Sequence, residues 1–222
     1  MRPRFRRTPP AEKSSFDDEQ FLALTREVKA HGRTMLAQKR LWTLWQCVGN
    51  VVDLEGVAAE VGTYRGGSAY FIAASFVARS GHEVPIEVID TFEGHAQEKL
   101  SANDSPIHAG GTKFLETSYE SVADYLSAFD EVNVRRGEFS AIAPQLPERT
   151  YRLVHLDVDL YLPTLDGLRY FGPRLVRGGI ILLDDYGSAS CPGIRSAAEE
   201  YLADGGFQTW DTRSRQLVLV KR

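Results

Sequence analysis

Four acidic positions stand where short apolar runs stop. They are Glu60 after Val57-Ala58-Ala59, Asp90 after Val88-Ile89, Asp157 after Val154-His155-Leu156, and the pair Asp184-Asp185 after Ile180-Ile181-Leu182-Leu183. If the runs are parallel strands, these acids line one edge of a sheet, and residues distant in sequence converge on one cleft. Left unneutralised, Asp157, Asp184 and Asp185 would repel and raise one another's pKa. A hard divalent cation with oxygen ligands relieves that repulsion, and Mg²⁺ suits because it keeps waters or substrate oxygens in its shell. Such an ion lowers the pKa of a bound hydroxyl and orients it for attack. Against this stand plainer uses: Asp184-Asp185 as a cap and turn former, and Asp159 as a residue that only fixes its loop.

Glu60 leads into Val61-Gly62-Thr63-Tyr64-Arg65-Gly66-Gly67-Ser68, and an alanine-rich apolar segment, 69 to 78, follows. The pattern predicts strand, tight turn and helix. Glycines let the turn approach a ligand, and the helix start directs free N–H groups and a positive dipole end towards it. Glu60 supplies an acceptor there. Asp90, closing the second strand, is placed to accept both hydroxyls of a ribose, its alternative being a turn-starting Asp. Together they suit a cofactor with a ribose and a cationic part. The turn is not the G-x-G-x-x-G of nicotinamide enzymes, and there is no Tyr-x-x-x-Lys pair, Gly-Lys-Ser/Thr step or G-x-S-x-G elbow. Hydride transfer, phosphoryl transfer and serine hydrolysis lose their signatures.

The elements that must position these groups follow from periodicity. A helical pattern begins at Ser15 and carries Phe21, Leu22, Leu24 and Val28; after His31-Gly32 a second carries Met35, Leu36, Leu41, Leu44, Trp45 and Val48. This helical lead-in, residues 16–52, is expected to cap the ligand site or form a dimer surface, with at least one of Trp42 and Trp45 in the core. Strands are expected at 84–89, 132–134 and 151–156, and helices at 119–129, 140–146, 163–176 and 192–202. Ile180 to Leu183 reads as a buried parallel strand. Phe207 to Asp211 and Gln216 to Val220 read as an antiparallel hairpin. Residues 92–117 are polar and too long for a routine connection, as lids and binding loops are. His95 and His108 lie within it and either could reach a substrate, or both could be surface residues. The whole predicts a three-layer α/β sandwich over residues 53–222, with a mostly parallel sheet.

Composition sets the outer limits. With 222 residues, 43% hydrophobic, the chain has room for one well-filled core. Residues 1–15 carry Arg2, Arg4, Arg6, Arg7 and Lys13 against Glu12, and read as a disordered basic tail. The formal charge is nevertheless −4, so the remainder is the more acidic part and has no basic face for nucleic acid. No membrane span or signal peptide is visible, which makes the cytoplasm the expected location. Cys47 and Cys191 show no metal or disulfide spacing and read as reduced thiols.

Four blocks in order carry a resemblance. Glu60-Val61-Gly62-x-Tyr64-x-Gly66-Gly67-Ser68, Asp90-Thr91-Phe92-Glu93-Gly94, Asp157-Val158-Asp159-Leu160-Tyr161, and Gly178-Gly179 with Asp184-Asp185-Tyr186 resemble the macrocin O-methyltransferase family. Thr34-Met35, Arg40-Leu41 and Cys47-Val48 resemble its lead-in, so the similarity covers roughly residues 33–222. It implies a Rossmann-like class I fold and S-adenosyl-L-methionine-dependent, Mg²⁺-dependent methylation of a hydroxyl on a natural-product sugar. A catechol-like phenol is the alternative acceptor. It further implies that Glu60 and the Gly62, Tyr64, Gly66, Gly67 and Ser68 turn face the methionine part of the cofactor, and that Asp90 with Thr91 meets its ribose. Glu138, Phe139 and Ser140 would lie near the adenine. Asp157, Asp184 and Asp185 match the magnesium ligands, with Asp157 also in cofactor contact and placed as general base. The family usually has Asp-Gly-Asp where this chain has Asp157-Val158-Asp159, and the 94–111 stretch has its own sequence. Two other readings compete: a non-catalytic cofactor-fold protein serving as a dimerisation partner, which has no need of all three aspartates, and an unusual nucleotide or nicotinamide enzyme. The apolar N-terminal helices suggest a homodimer.

Overall fold

The computed structural model describes residues 18–111 and 113–222, so the basic tail lies outside the described residues. A seven-stranded sheet runs in the order β3-β2-β1-β4-β5-β7-β6. Its parallel strands are β1 (Val57–Val61), β2 (Ile86–Asp90), β3 (Val132–Arg136), β4 (Tyr151–Leu156) and β5 (Leu175–Leu183). The hairpin of β6 (Phe207–Asp211) and β7 (Leu217–Lys221) joins antiparallel through β7 and β5. The order reverses between β1 and β4, the point where an open α/β sheet leaves a crevice for ligands.

Period-two alternation divides the strand side chains between two layers. Ala58, Leu153 and Leu182 pack with α1 (Glu19–Ala30), α2 (Gln38–Val51) and α3 (Gly67–Ser80), and α4 (Tyr119–Leu126) adds Val122 and Leu126. Ala59, Val154, Leu156 and Ile181 pack on the other face with α5 (Phe139–Ile142), α6 (Tyr161–Arg174) and α7 (Pro192–Leu202). The N-terminal helices thus belong to the main core. Asp18 caps α1 by accepting the Phe21 N–H, and its other oxygen accepts the Trp45 indole N–H at 2.9 Å. Trp45 is fully buried, as expected of at least one of the tryptophans.

Several boundaries differ by a few residues from the sequence expectation, two of them beside prolines. The second strand begins at Ile86, because Pro85 has no N–H to give the ladder. The sixth helix ends at Arg174 instead of Val176, just past Pro173, and Leu175 turns extended to pair with Tyr151. The fifth strand is correspondingly longer, with a register break opposite Gly178-Gly179 that restores pairing at Ile180. None of the described helices is long and apolar enough to cross a membrane.

Candidate active site

A cavity of about 560 Å³ opens at the carboxyl ends of β1, β2 and β4. One wall is the glycine turn. Gly66 adopts the left-handed conformation at φ +83°, and α3 starts after it with no side chain capping its N–H groups, which leaves the positive helix end to a ligand. Asp90 anchors that turn. Its Oδ2 accepts the Thr63 and Tyr64 N–H groups at 2.8 Å each, and its Oδ1 accepts that of Phe92. Burial raises its pKa, and those three N–H bonds pull it partly back. Gly62, at φ +83°, lies against the backbone of β4, where a Cβ would overlap the Asp157 carbonyl oxygen. We expect Gly62→Ala to destabilise the protein by about 3 kcal/mol, from strain plus overpacking, with a fall in Tm of roughly 10 °C in a thermal melt. A melt shifted by less than a degree would contradict that packing.

The acids at the far end of the crevice are linked to two cations, one buried and one half-buried. Register puts Glu60 beside His155, and alternation turns both towards the α1–α3 layer. His155 Nδ1 meets Glu60 Oε1 at 2.8 Å and its Nε2 lies 3.8 Å from Asp184 Oδ2, with all three side chains fully buried. Burial alone would lower the His155 pKa; Asp184 and Glu60 overcome it and lift it to about 10, so the ring is an imidazolium. Arg40, from α2, sets one guanidinium nitrogen 2.9 Å from Asp184 Oδ1 and holds both oxygens of Asp185, at 2.6 and 3.1 Å. Burial opposes its charge, and the Asp185 and Asp184 carboxylates restore it and raise its pKa. Asp157 lines the cavity. Its carboxyl is held well above the usual carboxylate range by burial and by Asp184, against the opposing pull of His155.

The oxygens available to a metal can be read from these contacts. Asp184 Oδ2 has no hydrogen-bond partner among the described residues, and Asp157 and Asp184 bring carboxylate oxygens within 4.8 Å of one another, while the protonated His155 beside them has no lone pair to offer. Two carboxylates, one with an orphaned oxygen, fit a hard divalent cation. Asp185 would join it only by exchanging Arg40 for the ion.

The long segment 92–117 folds over the opening and carries, among its described residues, two single turns of helix, Gln97–Lys99 and Pro106–His108. Side chains fasten it down. Lys99 reaches Ser140 and Asp166, Asp104 accepts the Tyr161 N–H at the head of α6, and His108 meets the Ser190 carbonyl at 2.8 Å. His95 Nε2 lies 3.1 Å from Asp159 Oδ2. Burial would raise the Asp159 pKa, but His95 outweighs it and holds the carboxyl below its usual range. The thiol of Cys191 is pushed up to about 12 by burial and by Asp159. Tyr64, Phe114, Asp159 and Asp185 all line the cavity, and all have positive φ without being glycine. Strained backbone of this kind gathers at functional sites.

Of the residues expected at the site, Gly62, Tyr64, Ser68, Asp90, Thr91, Glu138, Phe139, Asp157 and Asp185 share this cavity wall, and His95 joins them. Glu60 does not. It faces the helical layer beneath the cavity, because strand alternation puts it on the side of Ala58. Gly66 and Gly67 shape the turn against α4 and the Arg33 backbone, Ser140 serves the Glu138 cap, and Asp184 lies buried below Arg40. His108 is buried within the lid and does not reach the wall. The sequence expectation lacks Arg40 and His155 as functional groups; a lone cation on a helix and a histidine inside a strand carry no spacing signal of their own.

Comparison with known proteins gives concordant matches. The family model described as Macrocin-O-methyltransferase (TylF) matches residues 4–210. The 8-demethyl-8-(2,3-dimethoxy-alpha-L-rhamnosyl)-tetracenomycin-C 4'-O-methyltransferase of Streptomyces olivaceus is 31% identical over 189 residues, 80% of this chain and 70% of that protein. The demethyldecarbamoylnovobiocin O-methyltransferase of Streptomyces niveus is 30% identical over 188 residues, covering 80% and 71% respectively. Among solved structures, the O-methyltransferase NovP superposes with a TM-score of 0.75 at 29% identity, over 86% of this chain and 82% of NovP. The fold is that of the class I O-methyltransferases.

Proposed function

The chain belongs to the macrocin O-methyltransferase family, and from that premise we propose that it moves the methyl group of S-adenosyl-L-methionine to a hydroxyl of a small molecule. The acceptor class we assign is a sugar of a glycosylated natural product, following the rhamnosyl-tetracenomycin substrate in the name of its relative. The observation that carries the reading is one cavity with the uncapped start of α3 and Asp90 on one side and Asp157 on the other. The cofactor's carboxylate suits the helix start, and one of its ribose hydroxyls suits the acceptor position that Asp90 has left beside its three N–H bonds.

In the transfer, the acceptor oxygen attacks the methyl carbon, the carbon–sulfur bond breaks towards sulfur, and the hydroxyl proton passes to the Asp157 carboxylate. The products are a methyl ether and S-adenosylhomocysteine. A carboxylate whose pKa is raised by burial and by Asp184 is a stronger base for that proton than an ordinary carboxylate. The lid excludes water, and the docked groups hold both reactants in line, which supplies much of the rate. Asp157 and Asp184, with Asp185 on release from Arg40, would hold Mg²⁺, and the bound ion would supply charge stabilisation at the acceptor oxygen. Arg40 and His155 keep the cluster compact when that charge is missing.

Calorimetric titration tests this directly. S-adenosylhomocysteine should bind one to one and at least about 100-fold more tightly than NAD, with or without EDTA. Binding of NAD alone, or of neither, would remove the methyl-transfer proposal.

A further inference from the structure

We propose that His95, His108, Asp159 and Cys191 form a site for a borderline divalent transition ion of the Zn²⁺ type, separate from the carboxylate cluster and serving to fasten the lid. The four residues come from three separate places: the lid, the loop after β4, and the residue that precedes α7. His95, His108 and Asp159 each bring a ligand atom within 4.8 Å of the others, and Asp159 and Cys191 belong to a second such group with Asp185. His95 Nε2 and Asp159 Oδ2 are 3.1 Å apart, and the Cys191 sulfur is 3.3 Å from Asp159 Oδ1. The His108 ring comes within 3.8 Å of that sulfur. Ligand bonds of about 2.0–2.3 Å at tetrahedral angles separate donors by roughly 3.3–3.7 Å. Asp159 therefore already stands at coordinating distance from both His95 and Cys191, and His108 closes the group within 4.8 Å of His95 and Asp159.

The donor chemistry separates this site from the one below Arg40. Two imidazoles, a thiol and one carboxylate suit a borderline ion, whereas Asp157 and Asp184 offer only oxygen to a hard one. The groups are also withdrawn from water: His108 is 4% exposed and Cys191 3%. Each histidine keeps a buried Nδ1 with no hydrogen-bond partner among the described residues. Hydrogen bonding within the cluster leaves those two nitrogens unsatisfied, and an ion held by His95 Nε2 and His108 Nδ1 would satisfy the second of them. The Ser190 carbonyl, at 2.8 Å from His108 Nε2, can accept a hydrogen bond from Nε2–H and so leave a lone pair on Nδ1, which is the outer contact that a metal-bound imidazole uses. On binding, the Cys191 thiol gives its proton to solvent and the thiolate joins the ion. The ion would then tie two lid histidines to the sheet edge and to the head of α7.

Cobalt gives a readout independent of activity. The full chain, stripped with chelator and titrated with Co²⁺, should take up one equivalent and show a thiolate-to-cobalt charge-transfer band with four-coordinate visible bands. Zn²⁺ should displace it and Mg²⁺ should not. Cys191→Ser should remove the charge-transfer band while Cys47→Ala and Asp184→Asn keep it, and His108→Ala should weaken binding by more than about 100-fold. If Cys191→Ser does not fold, His95→Gln in the lid serves instead and should weaken binding similarly. Absence of the band at saturating Co²⁺, its survival in Cys191→Ser, or its loss in Asp184→Asn alone would overturn the assignment.

Discussion

Replacing Asp157 with Asn is expected to slow methyl transfer by about 10²–10⁴-fold while changing the affinity for S-adenosylhomocysteine by less than about threefold. The amide keeps the size and one acceptor of the carboxylate, so the cavity wall is preserved, but it cannot take up the hydroxyl proton. Stability should move the opposite way. The Asp157 carboxyl is held above its usual range chiefly by burial and Asp184, which means that its charge is unfavourable in the folded state. Removing that charge should raise Tm by a few degrees, the pattern of a residue kept for activity at some loss of stability. Single-turnover kinetics and a thermal melt on the same preparation check both halves. A variant with activity within about tenfold of the parent and an unchanged Tm would mean that Asp157 is neither base nor strained.

Glu60→Leu is expected to destabilise the protein by about 3–5 kcal/mol, because it leaves the buried His155 without the carboxylate at 2.8 Å. The same pair dictates the pH response. His155 titrates near 10 in the folded protein against an ordinary value of about 6.5. A raised folded-state pKa gives stability that is complete below about pH 6.5 and is lost as pH rises through about 10, at up to about 1.4 kcal/mol per pH unit. The raised pKa of Asp157 acts with the same sign, beginning lower on the scale. Urea midpoints of the metal-free protein should therefore fall from pH 6.5 to 10, and the slope should shrink in Glu60→Leu. A flat profile in the parent would show that His155 is not charged in the fold.

Much of this architecture was legible in the chain because strand ends and turns announce themselves locally. The apolar runs ending in acids, the three glycines between Gly62 and Gly67 and the polar length of 92–117 each carry a short-range signal, and the sheet brings the first two together as expected. What was not legible depends on facing and on distance. Glu60 looked like a ligand contact because it ends a strand, yet period-two alternation sends it to the helical layer, where His155 meets it. Arg40 lies 145 residues from Asp185, and no periodicity in α2 says that its guanidinium will close on the carboxylates. Cys191 read as a plain thiol because its partners are loop residues far along the chain, brought to it only when the lid folds.

The lid itself has a consequence for descent. The described residues of 92–117 contribute no strand and no helix beyond single turns, and the side chains of His95, Lys99, Asp104 and His108 hold the stretch in place. Its Gly94, His95, Ala96 and Phe114 line the cavity, while the glycine turn and its Asp90 anchor lie outside the stretch. A duplicated gene could rewrite that passage and inherit everything else intact. Acceptor choice would then be a portable trait, and repertoires of related enzymes would diverge fastest in this one interval while the methyl-donor half stays still.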